Sequence, residues 1–149
     1  MVCGRLAGRG EGRVRQTLAQ KRAAHAWQKT RELLETKNED FNDKYASYTA
    51  SLPATIQMCG LGQAAATLLS AARGKADAHK KLYDNLSNWL CRDEKEAPYR
   101  GANDLMEAIV SNDRDTYLRA QAEALAWLEW MKKFATAYLK KPEGGEGGD

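Results

Sequence analysis

The chain has 149 residues, with 23 Lys and Arg against 20 Asp and Glu, a net charge of only +3. That length suits one domain with a sizeable core. Three cysteines (Cys3, Cys59, Cys91) and two distant histidines (His25, His79), with no CxxC spacing, exclude a disulfide framework and a structural zinc site. No metal and no other cofactor is expected.

The charge is unevenly placed. Residues 1–31 carry eight Lys and Arg and one acid, Glu11. A basic end on a near-neutral body points to an anionic partner such as RNA or DNA, or to a solubilising surface. Residues 1–13 read as a flexible Gly/Arg arm, 14–140 as the domain, and 141–149 as a disordered Gly/Glu tail.

The first helix is expected over about 13–36, with Ala19, Ala23, Ala26, Trp27, Thr30, Leu33 and Leu34 on one buried arc. Arg15, Arg22 and Lys29 are seven residues apart and line up in one row on such a helix, about 10 Å between members. The row is a candidate RNA-binding strip that would neutralise phosphates without reading sequence. A solvated helix face is the alternative. Trp27 falls on the buried arc, so base stacking is not indicated.

Asn38 or Asp40 caps a second helix over about 40–51. Leu52-Pro53 predicts a break, because the residue before proline resists the α region. A short helix over 53–59 then ends at Gly60, where a positive φ favours glycine. Another helix follows over 61–73. Between Lys44 and Arg73 no residue among 28 is charged. Pro53, Gly60, Gly62 and six polar residues rule out a membrane span, and no signal-peptide core follows Met1. The chain is therefore read as soluble and cytoplasmic. Burial explains Ile56, Leu61, Leu68 and Leu69. It does not require Gln57 and Gln63, which are candidates for contact with a neighbouring subunit.

A helix over 76–91 places His79, Leu82, Tyr83, Leu86, Trp89 and Leu90 on one face. Residues 92–101 form a charged loop. Asp104 with Glu107 suggests a capping box for a short helix ending near Val110. The last helix, about 113–140, starts at Asn112 or Asp113. Leu118, Leu125 and Trp130 lie outside its main apolar stripe, so either other helices or another subunit cover them. No segment alternates with period two, and good helix formers dominate. The fold class is all-α: a single-domain bundle of five to six helices with no sheet.

Catalytic chemistry finds little support, and no catalytic residue is assigned. Cys59 reads as a buried structural thiol. Asp93, Glu94 and Glu96 read as a solvated loop, and Asp113 with Asp115 as a helix start rather than a metal-nuclease site. Gly60-Leu61-Gly62-Gln63 lacks the Lys-Ser/Thr of a P-loop.

Leu52-Pro53-Ala54-Thr55-Ile56 followed by Gly60-Leu61-Gly62-Gln63 resembles the signature of the small α-helical subunit of Cmr complexes, the fifth in the usual naming. Cmr complexes are type III-B CRISPR RNA-guided effectors. Arg22-Ala23 with Ala26-Trp27, Leu82-Tyr83 with Leu86 and Trp89-Leu90, and Tyr117, Arg119, Glu123-Ala124-Leu125 and Trp127-Leu128 are similar to its first, middle and final helices. The resemblance spans residues 14–139. It implies an all-α bundle without a catalytic centre, stacked head-to-tail in further copies of itself. Its implied partners are the other Cmr subunits, the guide RNA and the target RNA, whose duplex it helps to hold. A generic helical adaptor that binds protein only is the main alternative, and a small metal-dependent nuclease is a third.

Overall fold

The computed structural model describes residues 15–142. The expected arm at 1–13 and most of the tail expected at 141–149 lie outside the described residues. Five helices follow in order: α1 (Leu18–Thr36), α2 (Glu39–Ala72), α3 (Ala78–Leu90), α4 (Leu105–Ser111) and α5 (Arg114–Tyr138), with no strand among the described residues.

Short polar side chains set the helix starts by accepting hydrogen bonds from first-turn N–H groups. Thr17 caps α1 in a reciprocal box with Gln20: Gln20 N–H donates to Thr17 Oγ1 at 3.1 Å, and Thr17 N–H to Gln20 Oε1 at 2.8 Å. Asn38, Asp77, Asp104 and Asp113 cap the other four. The first helix therefore begins five residues later than expected and leaves Arg15 ahead of it.

The expected break at Leu52-Pro53 does not occur. The helix runs through Pro53 and bends at Gly60, whose φ of 88° and ψ of 160° lie outside the helical region. Leu52 and Ile56, one turn apart on either side of Pro53, are buried in the core and hold the register there. The bend at Gly60 folds the helix back sharply. Ser51, Leu52 and Thr55 line the same cleft as Ala64, Thr67, Leu68 and Ala71. Glycine's freedom at positive φ makes this corner possible.

The last helix crosses the corner and completes it. Leu61 N–H donates to Gln121 Oε1 at 2.9 Å, and Gly62 N–H donates to Tyr117 Oη at 2.8 Å. These N–H groups begin a new helical run and have no partner within it, so α5 acts as their cap.

The core lies among α1, α2, α3 and α5. It is built on Leu33, Tyr45, Ile56, Leu61, Leu82, Leu86, Leu90, Trp127, Leu128 and Met131, each at most 2% exposed. Its buried polar groups are mostly paired: Asn85 Nδ2 donates to Tyr45 Oη at 2.8 Å, and Leu105 N–H to Ser87 Oγ at 3.1 Å. No helix is long and apolar enough to cross a membrane, among the described residues.

Candidate nucleic-acid and subunit interfaces

The expected basic row does not survive as three aligned free cations. Arg15 precedes the Thr17 cap and is exposed, with no ion pair among the described residues. Arg22 is engaged by Glu123 of α5 through two hydrogen bonds, Nε to Oε2 at 2.7 Å and Nη2 to Oε1 at 2.9 Å. Glu123 Oε2 also accepts from Trp89 Nε1 at 3.0 Å. The hydrogen bond to Glu123 raises the Arg22 pKa above its usual value. Lys29 Nζ lies 3.6 Å from Glu32, with its side chain largely covered. The sequence placed Arg22 on a helix face but could not show that Glu123, about a hundred residues later, faces it.

The Arg22–Glu123 pair borders a polar and aromatic junction of α1, α3 and α5. His25 Nδ1 accepts from Trp127 Nε1 at 2.9 Å, so its proton sits on Nε2, which donates to Asn88 Oδ1 at 2.7 Å. The His25 ring centroid is 5.0 Å from that of Trp89 and 5.7 Å from that of Trp127. Burial drives the His25 pKa down to about 4, against the opposing hydrogen bond to Asn88. The Arg92 guanidinium lies 3.5 Å over the Trp89 ring and donates to Trp89 O at 2.7 Å. The junction ties α1, α3 and α5 together.

The subunit-contact candidates fall into separate places. Gln57 and Gln63 flank the Gly60 corner and are exposed. Leu118 is 51% exposed, while Leu125, seven residues on, packs partly buried against the core. Trp130 lies on another side of α5, 36% exposed, and its ring centroid is 6.0 Å from that of Phe134. The three α5 residues are thus not one patch.

Several exposed residues went unread in the sequence. Met58 is 82% exposed and Val110 74%. Cys59, expected to be buried, is exposed. It sits in the last turn before the corner, where the Gly60 bend turns that side of the helix outward.

Trp27 is a second correction. It is 37% exposed, and its ring lies 5.4 Å from Phe134 and 5.3 Å from Tyr138, both edge-on. Trp130, Phe134, Trp27 and Tyr138 make a continuous aromatic strip along α1 and α5. The sequence carried a signal for it: Trp130, Phe134 and Tyr138 are spaced by four, one face of a helix. Tyr138 also lines a cleft of about 430 Å³ where the turn between α1 and α2 meets the end of α5.

Four of the acids weighed for catalysis have partners. Asp93 binds Arg100 at 2.9 Å, Glu94 binds Arg92 at 2.5 Å, and Glu96 binds Lys21 at 3.0 Å. Asp113 accepts from Thr116 N–H at 2.9 Å as the cap of α5. No group of three or more His, Cys, Asp or Glu could hold a metal ion, among the described residues.

A family model described as a CRISPR-associated protein (Cas_Cmr5) matches residues 18–138. The "CRISPR system Cmr subunit Cmr5" of Thermus thermophilus is 33% identical over 126 residues, covering 85% of this chain and 99% of that protein. The X-ray crystal structure of a CRISPR-associated Cmr5 family protein from the same organism is similar, with a TM-score of 0.64 and 28% identity. It covers 84% of this chain and 100% of that one.

Proposed function

The chain belongs to the Cas_Cmr5 family of CRISPR-associated proteins, and we propose that it is a non-catalytic structural subunit of a type III-B effector. In this reading it stacks head-to-tail with further copies of itself, beside the backbone subunits, and helps to hold the guide–target RNA duplex in antiviral defence. One observation carries the structural part. A well-packed bundle leaves Met58, Val110 and Leu118 at 82, 74 and 51% exposure and an aromatic strip on another side. Apolar surface on more than one side suits a subunit held between neighbours better than a free monomer.

The non-catalytic part rests on chemistry. Of the acids weighed for a nuclease, Asp113 caps α5, and Asp93, Glu94 and Glu96 pair with Arg100, Arg92 and Lys21. Of the basic candidates, Arg15 carries a charge uncommitted among the described residues, whereas Arg22 and Lys29 reach RNA only by exchanging Glu123 and Glu32 for phosphate. That commitment favours the second reading, an adaptor that binds protein only.

Purifying the assembled effector through a tagged backbone subunit tests the proposal. Native mass spectrometry should show this chain present in steps of 16.6 kDa. Leu118→Glu should remove copies without unfolding the free chain, because Leu118 is half-exposed. An effector whose remaining subunits assemble and stay together unchanged without this chain would refute the structural role. RNA cleavage by the isolated chain with divalent metal would refute the non-catalytic one.

A further inference from the structure

We propose that the cleft between the α1–α2 turn and the end of α5 binds single-stranded nucleic acid, a base stacking on Tyr138 and the adjoining phosphates meeting Lys37, Lys140 and Lys141. The inference rests on the RNA-proximal role proposed above and gives that role a place on the chain other than the row of Arg15, Arg22 and Lys29.

The cleft volume of about 430 Å³ falls within the range of small-ligand sites, about 300–1,000 Å³. Its walls are of two kinds. Leu34 and Tyr138 supply apolar surface, 39% and 52% exposed. Lys37, Lys140 and Lys141 supply positive charge, with Glu39 in the lining and Asp40 and Asp43 beside the last two lysines. Lys37 makes no ion pair among the described residues. Lys140 and Lys141 pair with Asp43 and Asp40 at the surface, and exposed pairs of that kind are weak enough to exchange for phosphate. Asn42 forms the floor of the cleft, 5% exposed, and its Nδ2 donates to Leu33 O at 3.0 Å.

Beyond the cleft the aromatic surface continues. Tyr138 meets Trp27 at 5.3 Å, Trp27 meets Phe134 at 5.4 Å, and Phe134 meets Trp130 at 6.0 Å. Every base has a π-face, so an aromatic strip beside lysines holds single strands without reading their sequence. An acidic protein segment would meet the lysines but present no flat ring to the strip.

Anisotropy titration of a labelled oligouridine with the full chain at low salt tests the cleft, with an RNA duplex and an oligoglutamate peptide as competing probes. The single strand should bind best and quench tryptophan emission. Tyr138→Ala should weaken it about tenfold, the loss of roughly one stacked base. Tyr138→Leu, which keeps the apolar bulk, should weaken it comparably. Lys37→Gln should flatten the dependence of log affinity on log salt by about 0.7. Circular dichroism and melting midpoints should not move. RNA binding lost in Arg15→Gln and Lys29→Gln but intact in both Tyr138 variants would overturn the cleft and leave the RNA role standing. No binding at low salt would overturn the cleft, as would oligoglutamate held as tightly as RNA.

Discussion

Acidification should loosen the bundle through His25 before the carboxylates matter. His25 is held neutral because Nδ1 must stay an acceptor for Trp127 while Nε2 donates to Asn88. Burial is the largest cause of its low pKa, and the positive charges of Lys29 and Arg92 add to it, against the Asn88 hydrogen bond and the Glu32 charge. The unfolded chain takes up this proton near pH 6.5, whereas the folded chain refuses it until about 4. The contribution is therefore complete above about pH 6.5, falls as pH drops through the window, and is gone below about 4. At about 1.4 kcal/mol per pH unit the full loss is about 3 kcal/mol, and about half of it arrives by about pH 5.2. Urea unfolding followed by tryptophan fluorescence, at steps from about pH 7.5 to about 4.5, measures it. His25→Gln is the reference, since its amide can still accept from Trp127 and donate to Asn88. It should lose about 1–2 kcal/mol of packing at neutral pH and show a flat response between about pH 6.5 and 5. A variant with the wild-type slope in that window would refute the reasoning.

The Gly60 corner gives a paired expectation. Gly60→Ala should cost about 2–3 kcal/mol, because φ is 88° and a Cβ would stand 2.9 Å from Tyr117 Oη. Gly62→Ala should be neutral or slightly stabilising in the same thermal melts, since its Cβ would meet Tyr117 Oη at an ordinary 3.5 Å inside a helix. Glu123→Gln leaves the Arg22 charge uncompensated and should destabilise by about 1–3 kcal/mol in urea titrations. Tyr45→Phe should cost a similar amount, about 1–3 kcal/mol, by stranding the buried Asn85 amide.

Much of the fold was legible because helix ends are local chemistry. Asn38, Asp104 and Asp113 cap where their short polar side chains predicted, and the α3 face from Leu82 to Leu90 is buried as its spacing required. Pro53 misled because the lost backbone bond and the ring's crowding of the preceding turn are local costs, whereas Leu52 and Ile56 anchor both sides in the core. The corner sits at Gly60 because a positive φ and two side chains from α5 meet there. The site was less legible because it depends on which helix faces which. Arg22 looked free until Glu123 came opposite it. Trp27 looked buried until its neighbours proved to be Phe134, only partly buried, and Tyr138, at the surface. Cys59 looked buried because an uncharged run reads as core, yet its side chain lies at the surface.

Ultraviolet crosslinking of guide and target RNA in the purified effector, with peptides identified by mass spectrometry, tests the central claim most directly. The account expects RNA adducts on this chain at the end of α5 and the α1–α2 turn, around Tyr138 and Lys37. An effector that contains the chain at full occupancy but yields no RNA adduct on it would contradict the account and leave a protein-only adaptor.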